Sequence, residues 1–197
     1  LWAGTGEKNS LRSQYWGDGV YKSTNGGRAW TRMGLEETRA IGRIVIHPTN
    51  PDIVYVAALG HLWGANSERG VFKTADGGRT WTKVLFVDDT TGVVDLEMDP
   101  SNPGVLYAAA WHRLRWGGGH MEGVGATSGI YKTTDGGATW TRLTNGLPTG
   151  RLGRIGIAIS AQNPNLVFAM IAVDRGITDP AQARFGGVFR SADAGAT

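Results

Sequence analysis

Two acidic residues, Asp95 and Glu97, stand two positions apart in a stretch of alternating apolar and polar residues. In an extended strand they share one face, with Cα atoms about 6.5–7 Å apart. Two carboxyl groups can act as general acid and general base on a glycosidic bond, although pairs from separate elements are the more usual source. Asp95 and Glu97 are therefore the candidates for catalysis.

A structural role for the same acids is the competing interpretation. Arg43 occupies the place equivalent to Asp95 in an earlier repeat, and Arg154 has the same strand parity two positions before that place in a later repeat. Charged side chains on inner strands are costly unless they are paired or hydrated. We favour ion pairs among Arg43, Asp95, Glu97 and Arg154 around a water-filled channel over acid–base catalysis.

A second group of side chains with binding chemistry is concentrated between the predicted strands. Tryptophan, arginine and histidine suit stacking on sugars, anion binding or a protein contact. The group comprises Trp16, His61, Trp63, Arg69, His112, Arg113, Arg115, Trp116 and His120. The competing interpretation is that the aromatic members cap blade edges or pack against blades outside this segment. His112 and His120 have no acid at metal-ligand spacing, so we predict no metal and no cofactor.

The elements that position these side chains are organised by a phrase that occurs four times. It reads STNGGRAW at 23–30, TADGGRTW at 74–81, TTDGGATW at 133–140 and SADAGAT at 191–197. Asp and Ser/Thr side chains bond nearby backbone N–H groups and Gly accepts positive φ, so the phrase predicts hairpin turns, called here the repeat turns. Their recurring positions are Ser23, Asn25, Gly27, Trp30, Thr74, Asp76, Gly78, Trp81, Thr133, Asp135, Gly137, Trp140, Ser191, Asp193 and Gly195.

A second phrase divides each repeat into strands A to D. An Asn-Pro pair separates two alternating apolar runs, which indicates strand, turn and strand. The full repeats are predicted to have strands at 42–47, 53–59, 70–74 and 80–86, and at 93–99, 105–111, 129–133 and 139–143. The flanking repeats supply strands B to D at 1–4, 19–23 and 29–33, and strands A to C at 154–160, 166–173 and 187–191.

The spacing of the repeat turns indicates the architecture. Successive copies begin 51, 59 and 58 residues apart, a period typical of propeller blades. We predict an all-β fold, a β-propeller segment of four-stranded antiparallel blades that forms an incomplete ring over 1–197. Its divisions are an incomplete blade at 1–33, blades at 42–86 and 93–143, and an incomplete blade at 154–197.

Function is expected on one face of this array. A meander places the A–B and C–D turns on one face, the turn face, and the B–C and D–A segments on the other, the loop face. The B–C segments vary in length, at 5–18, 60–69, 112–128 and 174–186, and loops carry function more often than turns. They also contain six acids that we interpret as solvated carboxylates: Glu7, Asp18, Glu68, Glu122, Asp174 and Asp179.

The repeat turn resembles the Asp-box, or BNR repeat, and the whole chain is similar to bacterial sortilin/VPS10-like propeller proteins that are often labelled glycosyl hydrolases. Sialidases and xyloglucanase-type glycosidases share the repeat. The resemblance implies that Asp76, Asp135 and Asp193 lie at blade edges, away from any catalytic centre. It also implies a secreted or periplasmic protein.

Composition narrows the functional classes. The net charge of +3 comes from 20 basic and 17 acidic residues without a long run of one sign, which argues against nucleic acid. There is no cysteine, and no apolar stretch approaches the ~20 residues of a membrane span.

Three functional hypotheses remain open for this segment. The leading one is an extracytoplasmic interaction module, not itself an enzyme, that binds protein or glycan through the B–C loops. The alternative is part of a glycoside hydrolase, sialidase-like or xyloglucanase-like, with paired carboxylates. The third is a structural subunit of a larger complex. The remaining blades are expected from the rest of the chain or from another subunit.

Overall fold

The computed structural model describes residues 1–9, 14–174 and 186–197. These residues form sixteen β-strands, joined by turns and loops. Two short 3-10 turns, at Glu36–Thr38 and Gly117–Gly119, accompany them. The strands are β1 (Trp2–Gly4), β2 (Val20–Lys22), β3 (Thr31–Arg32), β4 (Ile41–Ile46), β5 (Val54–Ala58), β6 (Gly70–Thr74), β7 (Thr82–Leu85), β8 (Thr91–Met98), β9 (Leu106–His112), β10 (Leu114–Arg115), β11 (Met121–Glu122), β12 (Gly129–Thr133), β13 (Thr141–Leu143), β14 (Leu152–Ile159), β15 (Val167–Val173) and β16 (Gly187–Ser191).

The strands form four antiparallel sheets in chain order. The first sheet is β1-β2-β3, the second β4-β5-β6-β7, the third β8-β9-β12-β13 and the fourth β14-β15-β16, while β10 and β11 form a separate hairpin. The ring is open within the described ranges, and none of their residues forms an α-helix. The prediction of an all-β, antiparallel, four-stranded repeat is confirmed. Within the same ranges no helix is long and apolar enough to span a membrane.

The hydrophobic core lies between consecutive sheets. Strand β5 shows this most clearly, because all five of its residues are buried. Val54 and Val56 pack in the cluster that includes Val20 of the first sheet, whereas Tyr55 packs in the cluster that includes Leu96 of the third. Successive side chains of a strand point to opposite faces, so each middle sheet is covered on both sides by its neighbours.

The inner strands β4, β8 and β14 each contain a β-bulge that the sequence pattern did not reveal. The pairing register shifts between Ile41 and Arg43, between Val93 and Asp95, and between Leu152 and Ile155. A bulge places two residues opposite one and interrupts strict alternation. Arg154 lies inside the third bulge, so its side-chain direction does not follow from counting positions along the strand.

The outer strands begin later than predicted because the repeat turns use their first residues. The strand expected at 80–86 is observed at Thr82–Leu85, since the Thr80 backbone N donates to Asp76 Oδ1 at 3.0 Å. The strand expected at 139–143 is likewise shortened to Thr141–Leu143. The turn hydrogen bonds thus replace the first sheet hydrogen bonds of the outer strand.

All four repeat turns share one hydrogen-bond pattern. In the third copy Thr133 Oγ1 donates to Asp135 Oδ1 at 2.7 Å and accepts from the Gly137 backbone N at 3.0 Å, while the Thr139 backbone N donates to Asp135 Oδ1 at 2.9 Å. In the first copy Asn25 Oδ1 takes the aspartate's place, accepting from Ser23 Oγ and from the Ala29 backbone N.

Each of the last three repeat turns is fastened to the sheet that precedes it. Tyr55 Oη and Lys73 Nζ of the second sheet both donate to the Gly136 carbonyl oxygen, each at 2.8 Å. Tyr107 Oη and Lys132 Nζ bond the Ala194 carbonyl oxygen in the same way, each at 2.7 Å. These contacts, called here the inter-sheet clasps, make the repeat turns connectors between sheets as well as hairpins.

Candidate functional site

The predicted acid pair is divided between two different contacts. Arg43 Nη2 of the second sheet donates to Glu97 Oε1 of the third sheet at 2.7 Å. Asp95 instead accepts hydrogen bonds from the backbone N of Ile157 in the fourth sheet and of Leu96, both at 3.1 Å. Arg154 makes no ion pair with any described residue, and its guanidinium lies 5.9 Å from the centre of the Trp111 ring.

The pKa of Glu97 depends on burial and on a neighbouring acid as well as on its ion-pair partner. Burial raises the pKa of this carboxyl above its ordinary value; the neighbouring Arg43 acts in the opposite direction, and Asp95 adds to the rise. The Glu97 side chain is still 23% exposed and borders an open depression that includes Pro48 and Pro100 of the A–B turns. The Arg43–Glu97 pair therefore lies toward the turn face.

Two of the arginines predicted for binding are buried on the loop side of the fold. Arg69 has no exposed surface, and its guanidinium donates to the carbonyl oxygens of Thr90, Arg113 and His61. Burial lowers the pKa of Arg69 to about 10, and the nearby Arg113 cation contributes to that fall. Arg113 is also almost fully buried, with its guanidinium 5.3 Å from the centre of the Trp111 ring. Neither side chain is accessible to a ligand in this structure.

Two of the predicted aromatic residues meet in a pocket on the loop face. Trp16 and Trp63, which are 66% and 48% exposed, line a cavity of about 160 Å³ together with Arg39, His61 and Leu62. The Arg39 guanidinium lies 5.4 Å from the centre of the Trp16 ring. This pocket joins the loops of the first and second sheets.

Arg39 lines this pocket and Glu37 lies next to it, and the sequence pattern predicted neither of them. Glu37 Oε2 lies 2.9 Å from Arg39 Nη2 and 3.6 Å from His61 Nε2. Arg39 has a φ of 58°, a left-handed conformation that is costly for a non-glycine residue and common at functional sites. Both residues lie in a D–A segment, which shares the loop face with the B–C segments. That position in the predicted meander is the signal that points to them.

The loops of the second and third sheets are also joined. The backbone N of Arg115 donates to the Leu62 carbonyl oxygen at 2.8 Å, and Trp63 and Arg115 form a parallel bridge. The Arg115 guanidinium lies 5.0 Å from the centre of the Trp63 ring. The loop that carries Trp63 is therefore joined by its backbone to the loop that carries Arg115.

A third exposed tryptophan stands on the β10–β11 hairpin. Trp116 is 47% exposed, and its Nε1 donates to Glu122 Oε1 at 3.2 Å. His112, mostly buried, contacts Glu122 Oε2 through Nε2 at 3.1 Å. His120 is exposed next to the hairpin turn and forms no side-chain contact with Glu122 or His112 among the hydrogen bonds of the described residues.

Other predicted loop residues lie outside this arrangement. Glu68 bonds Ser67 Oγ, and Asp18 bonds Tyr21 Oη. The segment predicted at 174–186 is described only at its two ends, and Asp179 lies outside the described residues. Among those residues no group of three or more His, Asp or Glu side chains is arranged to hold a metal ion.

The repeated sheets and their turns match a known family over most of the chain. The family model described as sortilin, neurotensin receptor 3, matches residues 18–173. The chain belongs to the Sortilin-Vps10 family. The resemblance predicted from the repeat turns is confirmed.

Relatives of this Sortilin-Vps10 segment include glycoside hydrolases. A xyloglucanase from Paenibacillus sp is 31% identical over an alignment of 157 residues, and the match covers 70% of this chain and 14% of the relative. An ancestral GH74 enzyme of known structure has a TM-score of 0.64 at 19% identity, covering 96% of this chain and 22% of its own. The GH74 xyloglucanase from Xanthomonas campestris has a TM-score of 0.63 at 18% identity, covering 91% and 26%.

The solved structures are distant in sequence, and all of these matches cover only part of the relatives' length. At 18–19% identity the solved structures show the fold, and the predicted propeller-type segment is confirmed by them. The chain spans about a seventh of the curated relative and about a quarter of the solved structures.

Proposed function

We propose that this segment binds a polysaccharide through its loop face, as part of a secreted glycoside hydrolase that acts on a xyloglucan-type β-glucan. The observation that carries the proposal is the pocket in which Trp16 and Trp63 stand exposed beside Arg39 and His61. The xyloglucanase relative supports the same substrate class. The glycoside hydrolase alternative thus replaces the general interaction module as the preferred reading.

The chemistry of the pocket fits a sugar ring. The apolar C–H face of a pyranose stacks on an indole ring, and the hydroxyl groups at its edge need hydrogen-bond donors and acceptors. The Arg39 guanidinium offers donors and Glu37 offers an acceptor, whereas His61 Nε2 is buried and faces Glu37. Because the Arg115 bridge links the loops that carry Trp63 and Trp116, the tryptophans are held by a continuous backbone framework.

For Arg43, Asp95 and Glu97 we propose a structural role between sheets. Glu97 is paired with Arg43, and Asp95 is occupied by two backbone N–H groups. Both acids lie on an inner strand whose Pro-turn end is on the turn face, away from the exposed tryptophans. We also propose that the blades are residues 1–33, 42–86, 93–143 and 154–197, because each range corresponds to one of the four sheets.

Affinity electrophoresis in gels that contain xyloglucan tests the proposed function. We expect the wild-type protein to be retarded and Trp63→Ala to lose most of that retardation, with Trp16→Ala showing a smaller loss. Trp30→Ala is the matched control, because Trp30 is 42% exposed but belongs to a repeat turn. It should migrate like the wild type.

Two results would contradict the proposal. One is equal retardation of Trp63→Ala and wild type; the other is absence of retardation of the wild type in xyloglucan. In the second case, specific capture of a protein ligand that depends on Trp63 would restore the protein-binding hypothesis for the same face. Circular dichroism spectra that match the wild type would confirm that each variant is folded.

A further inference from the structure

The β10–β11 hairpin holds a carboxylate in a fixed position beside an exposed indole. Leu114 pairs with Glu122, and the Trp116 backbone N donates to the His120 carbonyl oxygen at 3.0 Å. The turn between them contains Gly118 and Gly119, with φ of 82° and 85°. Glycine tolerates this left-handed backbone without strain, so the hairpin closes tightly and orients its two ends.

Both oxygens of Glu122 are held by donors. Trp116 Nε1 donates to Oε1 at 3.2 Å, and His112 Nε2 lies 3.1 Å from Oε2. A carboxylate only accepts, so we assign an N–H to His112 Nε2; Nδ1 lies 3.0 Å from Thr90 Oγ1, whose own proton is donated to Asp88 Oδ1 at 2.7 Å. Thr90 is in turn fixed by Asp88, whose Oδ1 accepts from the Thr90 backbone N at 2.8 Å. A series of contacts from Asp88 through Thr90 and His112 therefore fixes the orientation of Glu122.

The same contacts keep the carboxyl ionised. The hydrogen bond from His112 lowers the pKa of Glu122 most, the Trp116 hydrogen bond lowers it further, and burial opposes them. The carboxylate has about four lone-pair sites, of which the two protein donors use two. Its side chain is 36% exposed and lies beside the partly exposed Trp116 ring, so the carboxylate is open to solvent in part.

We propose that Trp116 and Glu122 form a second saccharide subsite, in which the indole stacks on a sugar ring and the carboxylate accepts hydrogen bonds from that ring's hydroxyl groups. The inference rests on the proposed function and adds Glu122 as the group that recognises the hydroxyl groups of the sugar. Hydrogen bonds to a charged acceptor are about twice as strong as neutral ones, so Glu122 selects for free hydroxyls. His112 is a positioning residue that acts through Glu122.

Paired gels that contain native xyloglucan or its O-methylated derivative test this subsite. Methylation removes the donors but leaves an apolar ring face. We expect Glu122→Gln to weaken binding to native xyloglucan about tenfold or more and to leave binding to the methylated polymer unchanged. His112→Phe should reproduce that loss of selectivity with a smaller effect, because Glu122 keeps its charge but loses one orienting donor.

A charge-matched control separates the subsite from a general electrostatic effect. Asp52 is an exposed carboxylate near an A–B turn on the opposite face, so Asp52→Asn should bind both polymers like the wild type. If Glu122→Gln kept the wild-type preference for native over methylated xyloglucan, and binding still depended on Trp63, the subsite would be overturned and the proposed function would remain intact. Absence of retardation of the wild-type protein in both gels would overturn both. Equal thermal unfolding midpoints would show that the variants are folded.

Discussion

The phenol of Tyr107 donates a hydrogen bond to the carbonyl oxygen of Ala194, 87 residues later in the chain, at 2.7 Å. Lys132 Nζ donates to the same oxygen, and its ammonium lies 5.3 Å from the centre of the Tyr107 ring. Tyr55, Lys73 and Gly136 repeat this arrangement one sheet earlier. A clasp of one design therefore joins successive sheets at their outer edge.

Removing a clasp hydroxyl should lower stability without changing the fold. Tyr107→Phe deletes one donor to the Ala194 carbonyl oxygen but preserves the buried ring, and Lys132 still bonds that oxygen. We expect a loss of about 0.5–1.5 kcal/mol in the free energy of unfolding, measured by urea titration. Tyr131→Phe is a useful control, because Tyr131 Oη makes only a long 3.3 Å bond to the nearby Thr127 carbonyl oxygen. Equal losses in the two variants would show that the clasp contributes nothing specific.

Ala194 should be a site where glycine stabilises the protein. Its φ is 57°, and the equivalent residues of the other repeat turns are Gly26, Gly77 and Gly136, with φ between 67° and 73°. A left-handed conformation costs a non-glycine residue roughly 1–2 kcal/mol. Ala194→Gly should raise the midpoint of thermal unfolding, and the reverse change, Gly136→Ala, should lower it. Opposite shifts would contradict the strain argument.

The repeat-turn aspartates should make stability depend on acid. Hydrogen bonds from Thr139 and Thr133 hold the pKa of Asp135 well below its ordinary value. A lowered folded-state pKa stabilises the protein above the unfolded pKa of about 3.9, and that contribution is lost as the pH falls below it. The double variant Asp135→Asn, Thr139→Ala gives the third turn the residues of the first, Asn25 and Ala29.

The comparison that checks this prediction is urea unfolding of wild type and double variant between pH 7 and pH 2. The variant should be less stable at neutral pH, and the difference should shrink as the pH falls from about 4 toward 2. A constant difference over this range would show that Asp135 is not the titrating group. The Asn-containing first turn shows that such a turn can close without a charge.

Arg43 should control the ionisation of Glu97. Burial raises the pKa of Glu97, and the Arg43 cation partly reverses the rise. Arg43→Met should therefore raise the pKa of Glu97 further, as followed by NMR of the side-chain carboxyl carbon during a pH titration. Arg79→Met, at an exposed repeat turn away from Glu97, is the control. An unchanged or lower pKa in Arg43→Met would show that the 2.7 Å pair does not persist in solution.

Much of the fold could be predicted because its signals are local. Repeat turns, Asn-Pro turns and period-2 alternation each lie within a few residues, so the antiparallel sheets follow from them. The bulges of β4, β8 and β14 could not be found in this way, because a bulge is set by packing against a neighbouring strand. The candidate site was predicted only in part: Trp16, Trp63 and Trp116 are exposed, whereas Arg69 and Arg113 are buried.

The sequence by itself determined the repeating unit, its strand order and the face on which variable loops lie, since these depend on short-range hydrogen bonding and side-chain alternation. Only the tertiary structure decided which distant groups meet. The Tyr107–Ala194 clasp spans 87 residues, the Arg43–Glu97 pair 54, and the Arg69 contact to the Arg113 carbonyl 44. Such contacts depend on how twisted sheets stack, and the residues involved carry no mark of their partners in the linear chain.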